Sequence, residues 1–345
     1  MIKKISLKNF RNHDNLNLEL KNKFVYINGP NGSGKTSILE SIYLISTLKS
    51  HRTNSDKNLI KENMPFAKVE IKTNDHQYEL VISEKGKVAK YDNKEARKLS
   101  EFIGKLKVVM FSPEDLNLIK GSPVVRRSFI DVELMKLDYN YLNNLTKYRN
   151  ILKQRNALLK NIKIGDDLFF LNILGKKLYE IGIKIIDVRE KFIKDLNTKF
   201  IEIYEEFNQE NKVSIKYIPN LSKEELEKHL TKNQKIDILY KATTQGPHRD
   251  DFTILFDGYE AKNYASQGQI RLIVIAVKLA LLQIIREVSK EDVILLLDDV
   301  LSELDINIRE KFLNNLPKEI QIIMNSAMNI KNEEIQIIEL KENSK

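Results

Sequence analysis

Hydrophobic positions along the chain change rhythm twice. From residue 1 to about 110, short apolar runs alternate with polar turns: KKISLKNF, KFVYING, FAKVEIKT, YELVIS and KVVMFS. Runs of this length bounded by turn residues predict β-strands. One stretch differs. Between Lys35 and about Leu48, apolar residues fall at Ile38, Leu39, Ile42 and Ile45, the spacing of one helix face.

From about Asp138 the spacing becomes helical throughout. Tyr141, Leu145, Tyr148, Leu152 and Leu159 step by four and three, with Arg155 in the slot where an apolar residue is due. After the turn KIGDD, a strict three-and-four heptad seam runs through Leu171, Leu174, Leu178, Ile181, Ile185, Val188 and Phe192. Two such helices joined by a short loop predict an antiparallel helical hairpin. As one helix, Leu171 to Tyr204 would span about 50 Å at ~1.5 Å per residue. From Lys241 the strand–helix alternation returns: DDFTILFDG, an apolar helix after Gly268, the strand VILLL, a helix near Asn307 and the strand IQIIMN. The expected class is α/β, a head with a mixed sheet and an all-helical inserted lobe holding the hairpin. Residues 1–120 and 241–330 make the head, 121–240 the lobe, and 331–345 a Lys/Glu-rich tail without an assigned place.

Composition narrows the function. The 57 Lys+Arg against 48 Asp+Glu give +9 over 345 residues, a mild attraction for polyanions with no dense basic tail. The absence of Cys excludes disulfides, thiolate zinc sites and thiol catalysis. His13, His51, His76, His229 and His248 show no metal-ligand spacing. The start MIKKISLKNFRN lacks the apolar core of a signal peptide. The apolar run Ile270–Ile285 is interrupted by Arg271, Lys278 and Gln283, so no membrane span and a cytoplasmic location are expected.

Two motifs carry chemistry. GPNGSGKT spans Gly29 to Thr36, after the apolar stretch Phe24–Ile27 and before a helix, and fits a phosphate-binding loop. Gly29, Pro30, Asn31, Gly32, Ser33 and Gly34 would form the loop around the phosphates, its glycines letting the backbone amides curl inward, aided by the helix N-terminus. Lys35 would reach the β/γ-phosphates of ATP and Thr36 would hold Mg²⁺. VILLLDD, Val293 to Asp299, predicts a strand buried on both faces with acids at its carboxyl end, where open α/β sheets bind ligands. Asp298 is the Mg²⁺ partner and Asp299 the residue placed to polarise an attacking water, so Lys35, Asp298 and Asp299 form the catalytic set.

A third element gives these motifs their context. Ser266-Gln267-Gly268-Gln269 opens the long apolar helix, and Ser302-Glu303-Leu304-Asp305 follows the acidic strand. Phosphate loop, Ser-x-Gly-Gln turn, acidic strand and Ser-x-Leu-Asp loop, in that order, form the ATP-binding-cassette arrangement. In such ATPases the Ser-x-Gly turn meets nucleotide carried by a second copy. Ser266, Gly268 and Gln269 are thus expected to complete the partner's site in an ATP-dependent homodimer.

LKNFRN, GPNGSGKTSILESIYLISTLKSHRT, FSPEDLNLIKGSPVVRRSFID, GPHRDDF, SQGQIRL and LLLDDVLSELD together resemble the RecF family of bacterial DNA replication and repair proteins, across residues 1 to about 325. The resemblance implies a slow, ABC-type ATP hydrolase active as a dimer, binding gapped or junction DNA without sequence preference. It also implies action with RecR and RecO to load recombinase. Where the family shows a Thr-rich run after the last core strand, this chain has IIMNSAMN, leaving Asn325 or Ser326 to approach the γ-phosphate. Further candidates are Arg126 and Arg127 for DNA phosphates, Arg11 for the α-phosphate, His248 and Arg249 at the return from the insertion, and Glu114 with Asp115 as nucleotide sensors. Two alternatives remain: the nucleotide-binding subunit of a transporter, disfavoured by the large insertion, and an SMC-like chromosome tether, disfavoured by the insertion's shortness.

Overall fold

The computed structural model describes residues 1–163, 165–289, 292–301, 304–325 and 335–341. It divides into two compact units, Met1–Leu116 with Arg271–Lys345, and Asn117–Ile270.

The first unit begins with β1 (Ile2–Phe10), β2 (His13–Glu19), β3 (Phe24–Asn28), α1 (Lys35–Thr47), β4 (Phe66–Thr73), β5 (Gln77–Ser83), β6 (Gly86–Tyr91), β7 (Lys94–Glu95) and β8 (Lys107–Phe111). Six of the strands form an antiparallel sheet in the order β2-β1-β4-β5-β6-β7. Alternation is clear in the middle: Ala67, Val69 and Ile71 of β4 and Tyr78, Leu80 and Ile82 of β5 are buried on one face. Sequence periodicity misses β2, whose HDNLNLE is mostly polar. Pairing across Leu7–Leu16 and Ile5–Leu18 makes it a strand.

The second unit holds α2 (Asn117–Lys120), α3 (Pro123–Leu137), α4 (Tyr139–Leu159), α5 (Phe169–Phe207), β9 (Val213–Ile218), α6 (Lys223–Thr231), α7 (Lys235–Tyr240), β10 (Asp251–Phe256), β11 (Tyr259–Glu260) and α8 (Ala261–Tyr264). Helices α4 and α5 form the expected antiparallel hairpin, with α5 a single helix of 39 residues. Its buried line departs from the predicted seam. Leu171, Leu178, Ile185 and Phe192 are buried, but the alternate positions filled are Gly175, Gly182 and Arg189, not Leu174, Ile181 and Val188. The glycines allow close approach: a Cβ on Gly175 would lie 2.0 Å from the Leu230 carbonyl oxygen. Arg155, the polar member of the α4 stripe, is fully buried. It donates to Asp237 Oδ2 (2.6 Å), Thr243 Oγ1 (2.7 Å) and Gln234 Oε1 (2.9 Å).

Two expectations about this insertion are corrected. It is not all-helical: β9, β10 and β11 form an antiparallel sheet. Nor does DDFTILFDG return to the head. Phe252, Ile254 and Phe256 bury one face of β10, and the strand pairs along its whole length with β9. Local alternation specified a strand but not its partner, so the unit extends from Asn117 to Ile270 instead of 121–240.

The chain re-enters the first unit one turn into α9 (Gln267–Val288), followed by β12 (Val293–Asp298), α10 (Ile306–Asn314), β13 (Gln321–Asn325) and β14 (Ile335–Glu339). A wholly parallel sheet runs β14-β3-β13-β12-β8. Every residue of β12 is buried, as its unbroken apolar run requires. Helix α1 contacts both sheets, and Ile38, Leu39, Ile42, Leu44 and Ile45 join their buried residues in one core. Helix α9 is long and apolar enough to cross a membrane, yet 78% of its most apolar stretch is buried in the protein. Its Lys278 is satisfied there by the Met110 carbonyl (2.7 Å) and Asp115 Oδ1 (2.8 Å). Part of the expected tail has a place after all. β14 pairs with β3, and Gln336 Oε1 accepts from the Lys21 amide (2.6 Å).

Candidate functional site

The carboxyl edge of the parallel sheet gathers the first unit's chemistry. β3 ends at Asn28, β12 at Asp298 and β13 at Asn325, with Asp298 and Asn325 in register. The loop Gly29–Gly34 bridges β3 to α1, with Pro30, Asn31 and Gly32 exposed. Gly34 sits at φ 93°, and a Cβ there would meet His13 Nε2 at 2.3 Å, so only glycine fits. Turn residues after β1 hold this loop: Asn12 Nδ2 donates to the Gly32 carbonyl (2.9 Å) and His13 Nε2 to the Gly34 carbonyl (3.2 Å). Burial pushes the His13 imidazole below its ordinary range. No side chain caps α1, which leaves its first amides for an anion. Lys35 Nζ folds over the loop onto the carbonyls of Gly29 (2.6 Å) and Pro30 (3.0 Å).

Four side chains then converge. Thr36 Oγ1 donates to Asp298 Oδ1 (2.9 Å), and Asn325 Nδ2 donates to the same oxygen (2.7 Å). Asn325 Oδ1 accepts from the Asp299 amide (2.7 Å). Asp298 is buried, whereas Asp299 is exposed at a left-handed φ of 52°. His51 Nε2 lies 3.9 Å from Asp298 Oδ2, and neither ring nitrogen of this buried side chain makes a hydrogen bond. Ser33 Oγ is likewise buried without a partner. A hydroxyl and a carboxylate beside a phosphate loop are the hard oxygen donors that suit Mg²⁺, which keeps several waters and takes few protein ligands. The donor set and the unsatisfied polar atoms fit both the ion and a nucleotide.

A cleft of about 590 Å³ opens over this arrangement. Asn31, Gly32, Gly34, Lys35, Thr36, Asp299 and Asn325 line it, with Arg11, Asn12, Arg52, Asn58 and Ile60 on its far wall. Arg11 is not a free cation: its Nε and Nη2 clamp the fully buried Glu40 at 2.8 and 2.6 Å. Asn12, His13, His51, Arg52 and Asn58 escape motif reasoning because they come from segments near the phosphate loop in space only. The polar clusters NFRNH and KSHRTN are the signal that marks the first four; Asn58 lies outside both.

The Ser-x-Gly-Gln turn starts α9 in the second unit. Ser266 Oγ accepts from the Gln269 amide (3.3 Å), and Gln269 Oε1 accepts from the Ser266 amide (2.8 Å), a reciprocal cap. The first-turn amides of Gln267 and Gly268 have no intrahelical acceptor, and Ser266, Gln267 and Gly268 are exposed.

Of the remaining candidates, Asp115 accepts from the Ser112 amide (2.8 Å) besides pairing with Lys278. Asp305 caps α10 through the Ile308 amide (2.9 Å). Arg126 is spent within its unit, donating from Nε and Nη2 to Asp251 (2.7 and 2.8 Å), and Arg127 binds the Asp250 carbonyl (2.7 Å). His248 bridges the Tyr148 hydroxyl (2.8 Å) and the Thr243 carbonyl (3.1 Å), whereas Arg249 is exposed. Ser302, Glu303 and Ser326 lie outside the described residues.

The model of the RecF/RecN/SMC N-terminal domain matches residues 1–341. The DNA replication and repair protein RecF of Acholeplasma laidlawii is 50% identical over 330 residues, covering 96% of this chain and 94% of its own. RecF of Clostridium perfringens strain SM101 is 41% identical over 335 residues, covering 94% and 92%. A solved structure of the recombination mediator protein RecF with ATP, of the RecFOR pathway, superposes with a TM-score of 0.89 at 34% identity, covering 96% of this chain and 93% of its own. An Smc head bound to a winged-helix domain of ScpA, at TM-score 0.52 and 16% identity over 95% and 90% of the two chains, shares the fold. Matched by that model over residues 1–341 and 50% identical to a RecF over 96% of its length, the chain belongs to the RecF/RecN/SMC family, among its RecF members.

Proposed function

We propose that this protein is an ATP-gated DNA clamp of recombinational repair and replication, a slow ATPase whose product is a conformational cycle. The observation that carries this reading is the pair of half-sites. The cleft at Lys35 has a phosphate loop and acids, and the exposed Gln267 and Gly268 amides offer donors and a helix dipole suited to an anion. Two copies related by a twofold axis satisfy both at once, each nucleotide lying between one chain's Lys35 and the other's Ser266. RecF relatives named for DNA replication and repair, and one solved with ATP, support the choice of ligand and process.

Within one site, Gly29–Gly34 and the α1 amides hold the phosphates, and Lys35 leaves its own loop carbonyls for the β/γ-phosphates. Thr36 and Asp298 would hold Mg²⁺, which would supply positive charge against the phosphates. Asn325 keeps Asp298 aimed and fixes the Asp299 backbone. Exposed at the mouth, Asp299 orients the attacking water. Loss of the γ-phosphate removes what the partner's Ser266 turn binds, and the dimer opens. DNA is held through backbone phosphates, without sequence readout. RecR and RecO are the expected partners, as the pathway of the solved relative suggests.

Sedimentation with and without ATP and gapped DNA tests this function. ATP-dependent dimers that retain DNA are expected; a monomer at every ATP concentration contradicts it.

A further inference from the structure

The second unit carries a surface to which the proposed nucleotide and dimer contacts assign no residue. Leu159, Ile162, Leu171 and Ile238 form a small buried cluster where the end of α4, the start of α5 and α7 meet. Around it, large apolar side chains face solvent: Phe169 (59% exposed), Phe170 (69%), Ile173 (37%), Ile236 (51%), Leu239 (69%) and Tyr240 (70%). Each lies within two residues of a member of that buried cluster, so they belong to one tip. Among the described residues, six of the 18 exposed large hydrophobics sit here, a concentration that scattered surface residues do not produce. Phe169 and Phe170 are edge to face, with ring centroids 5.5 Å apart.

Charge collects at the same place. Residues 153–177 and 228–241 carry ten Lys or Arg against three Asp, a net +7 of the whole chain's +9. Arg155 and Asp237 cancel in the interior, and Lys160, Lys163, Lys232 and Lys235 are among the exposed lysines that remain. The basic excess that looked diffuse along the sequence is gathered by the hairpin fold at one end.

We propose that this tip binds unpaired nucleotides of a DNA strand, their bases stacking on Phe170 and Tyr240 and their phosphates meeting the lysines. Resting on the DNA-binding reading above, the proposal assigns part of it to a surface and to a substrate class. Charge complementarity selects the occupant. An unpaired strand offers one flat apolar face and one negative charge per nucleotide, which is what exposed rings set among lysines complement. Duplex DNA hides its base faces in its own stack and would use the lysines but not the rings. A second copy of this chain would bring the same net positive charge and be repelled.

The test is fluorescence anisotropy with labelled oligothymidine, a blunt duplex and a gapped duplex, on the full chain with ATP. Phe170→Ala and Tyr240→Ala are expected each to weaken oligothymidine and gapped-DNA binding by roughly tenfold, the effect of losing one stacked base. Blunt-duplex affinity and the salt slope stay as in the parent. Lys232→Gln with Lys235→Gln flattens the log–log salt slope on oligothymidine by about 0.7 per lost phosphate contact. Both rings are exposed, so the variants are expected to fold, which circular dichroism checks. Unchanged affinity for all three DNAs in both ring variants overturns the proposal while leaving DNA binding elsewhere on the chain intact. Loss of ATP-dependent dimers with DNA affinity unchanged makes the tip a self-contact and also overturns it. A parent protein that binds none of the three DNAs removes the DNA-binding reading itself.

Discussion

Asn325 donates from Nδ2 to Asp298 Oδ1 over 2.7 Å, across the register pair that ends β12 and β13. Its other amide atom accepts the Asp299 backbone N–H, so a single side chain sets the aim of both acids. Asn325→Leu keeps the volume and removes both bonds. ATP hydrolysis is expected to fall by roughly 10–100-fold, the usual effect of losing a bond that orients a metal ligand. ATP affinity changes little because the phosphate loop is untouched. Phosphate release and equilibrium nucleotide binding, measured side by side, check this; equal losses in both assign Asn325 to ground-state binding.

His51, neither of whose ring nitrogens makes a hydrogen bond, brings Nε2 to 3.9 Å from Asp298 Oδ2, the carboxylate oxygen that Thr36 and Asn325 do not use. In the proposed site it supports the metal from behind its carboxylate. His51→Phe is expected to raise the Mg²⁺ concentration for half-maximal ATP binding by at least about tenfold. Nucleotide binding in chelator is expected to stay the same. A Mg²⁺ titration matching the parent's would remove His51 from the metal site.

His248 gives the second unit a pH dependence. Burial lowers its imidazole to about 4, against the opposing bond to the Thr243 carbonyl. An unfolded histidine titrates near 6.5, so between these values the unfolded chain binds the extra proton. The native state therefore keeps this stability above about pH 6.5 and loses up to about 3 kcal/mol as pH falls toward 4. His248→Gln is expected to flatten that slope, read as urea midpoints at neutral and mildly acidic pH. Parallel slopes in parent and variant contradict the assignment.

Local patterns revealed the elements whose residues carry their own signal. GPNGSGKT placed the loop, VILLLD placed a central strand, and the four-and-three steps of α4 and α5 placed a hairpin, because each period is set by backbone geometry alone. What stayed hidden depends on partners distant in sequence. Gly175 and Gly182 look like seam breakers until Leu230, Tyr148 and Pro247 are brought against them. Arg155 looks like an error in an apolar stripe until Asp237, Gln234 and Thr243 surround it. β14 has a sequence too short and too charged in its surroundings to stand out, and only the free edge of β3 makes it a strand. Within the candidate site, the motif residues were legible, and of the far wall of the cleft only Arg11 was.

The account turns on whether the nucleotide site needs a second chain, and Ser266→Arg addresses that directly. The substitution places a bulky cation on an exposed turn that its own unit does not cover. Sedimentation with ATP is expected to show a monomer that binds nucleotide with the parent's affinity and forms no dimer. ATP-dependent dimers of Ser266→Arg at the parent's concentration would contradict the shared site.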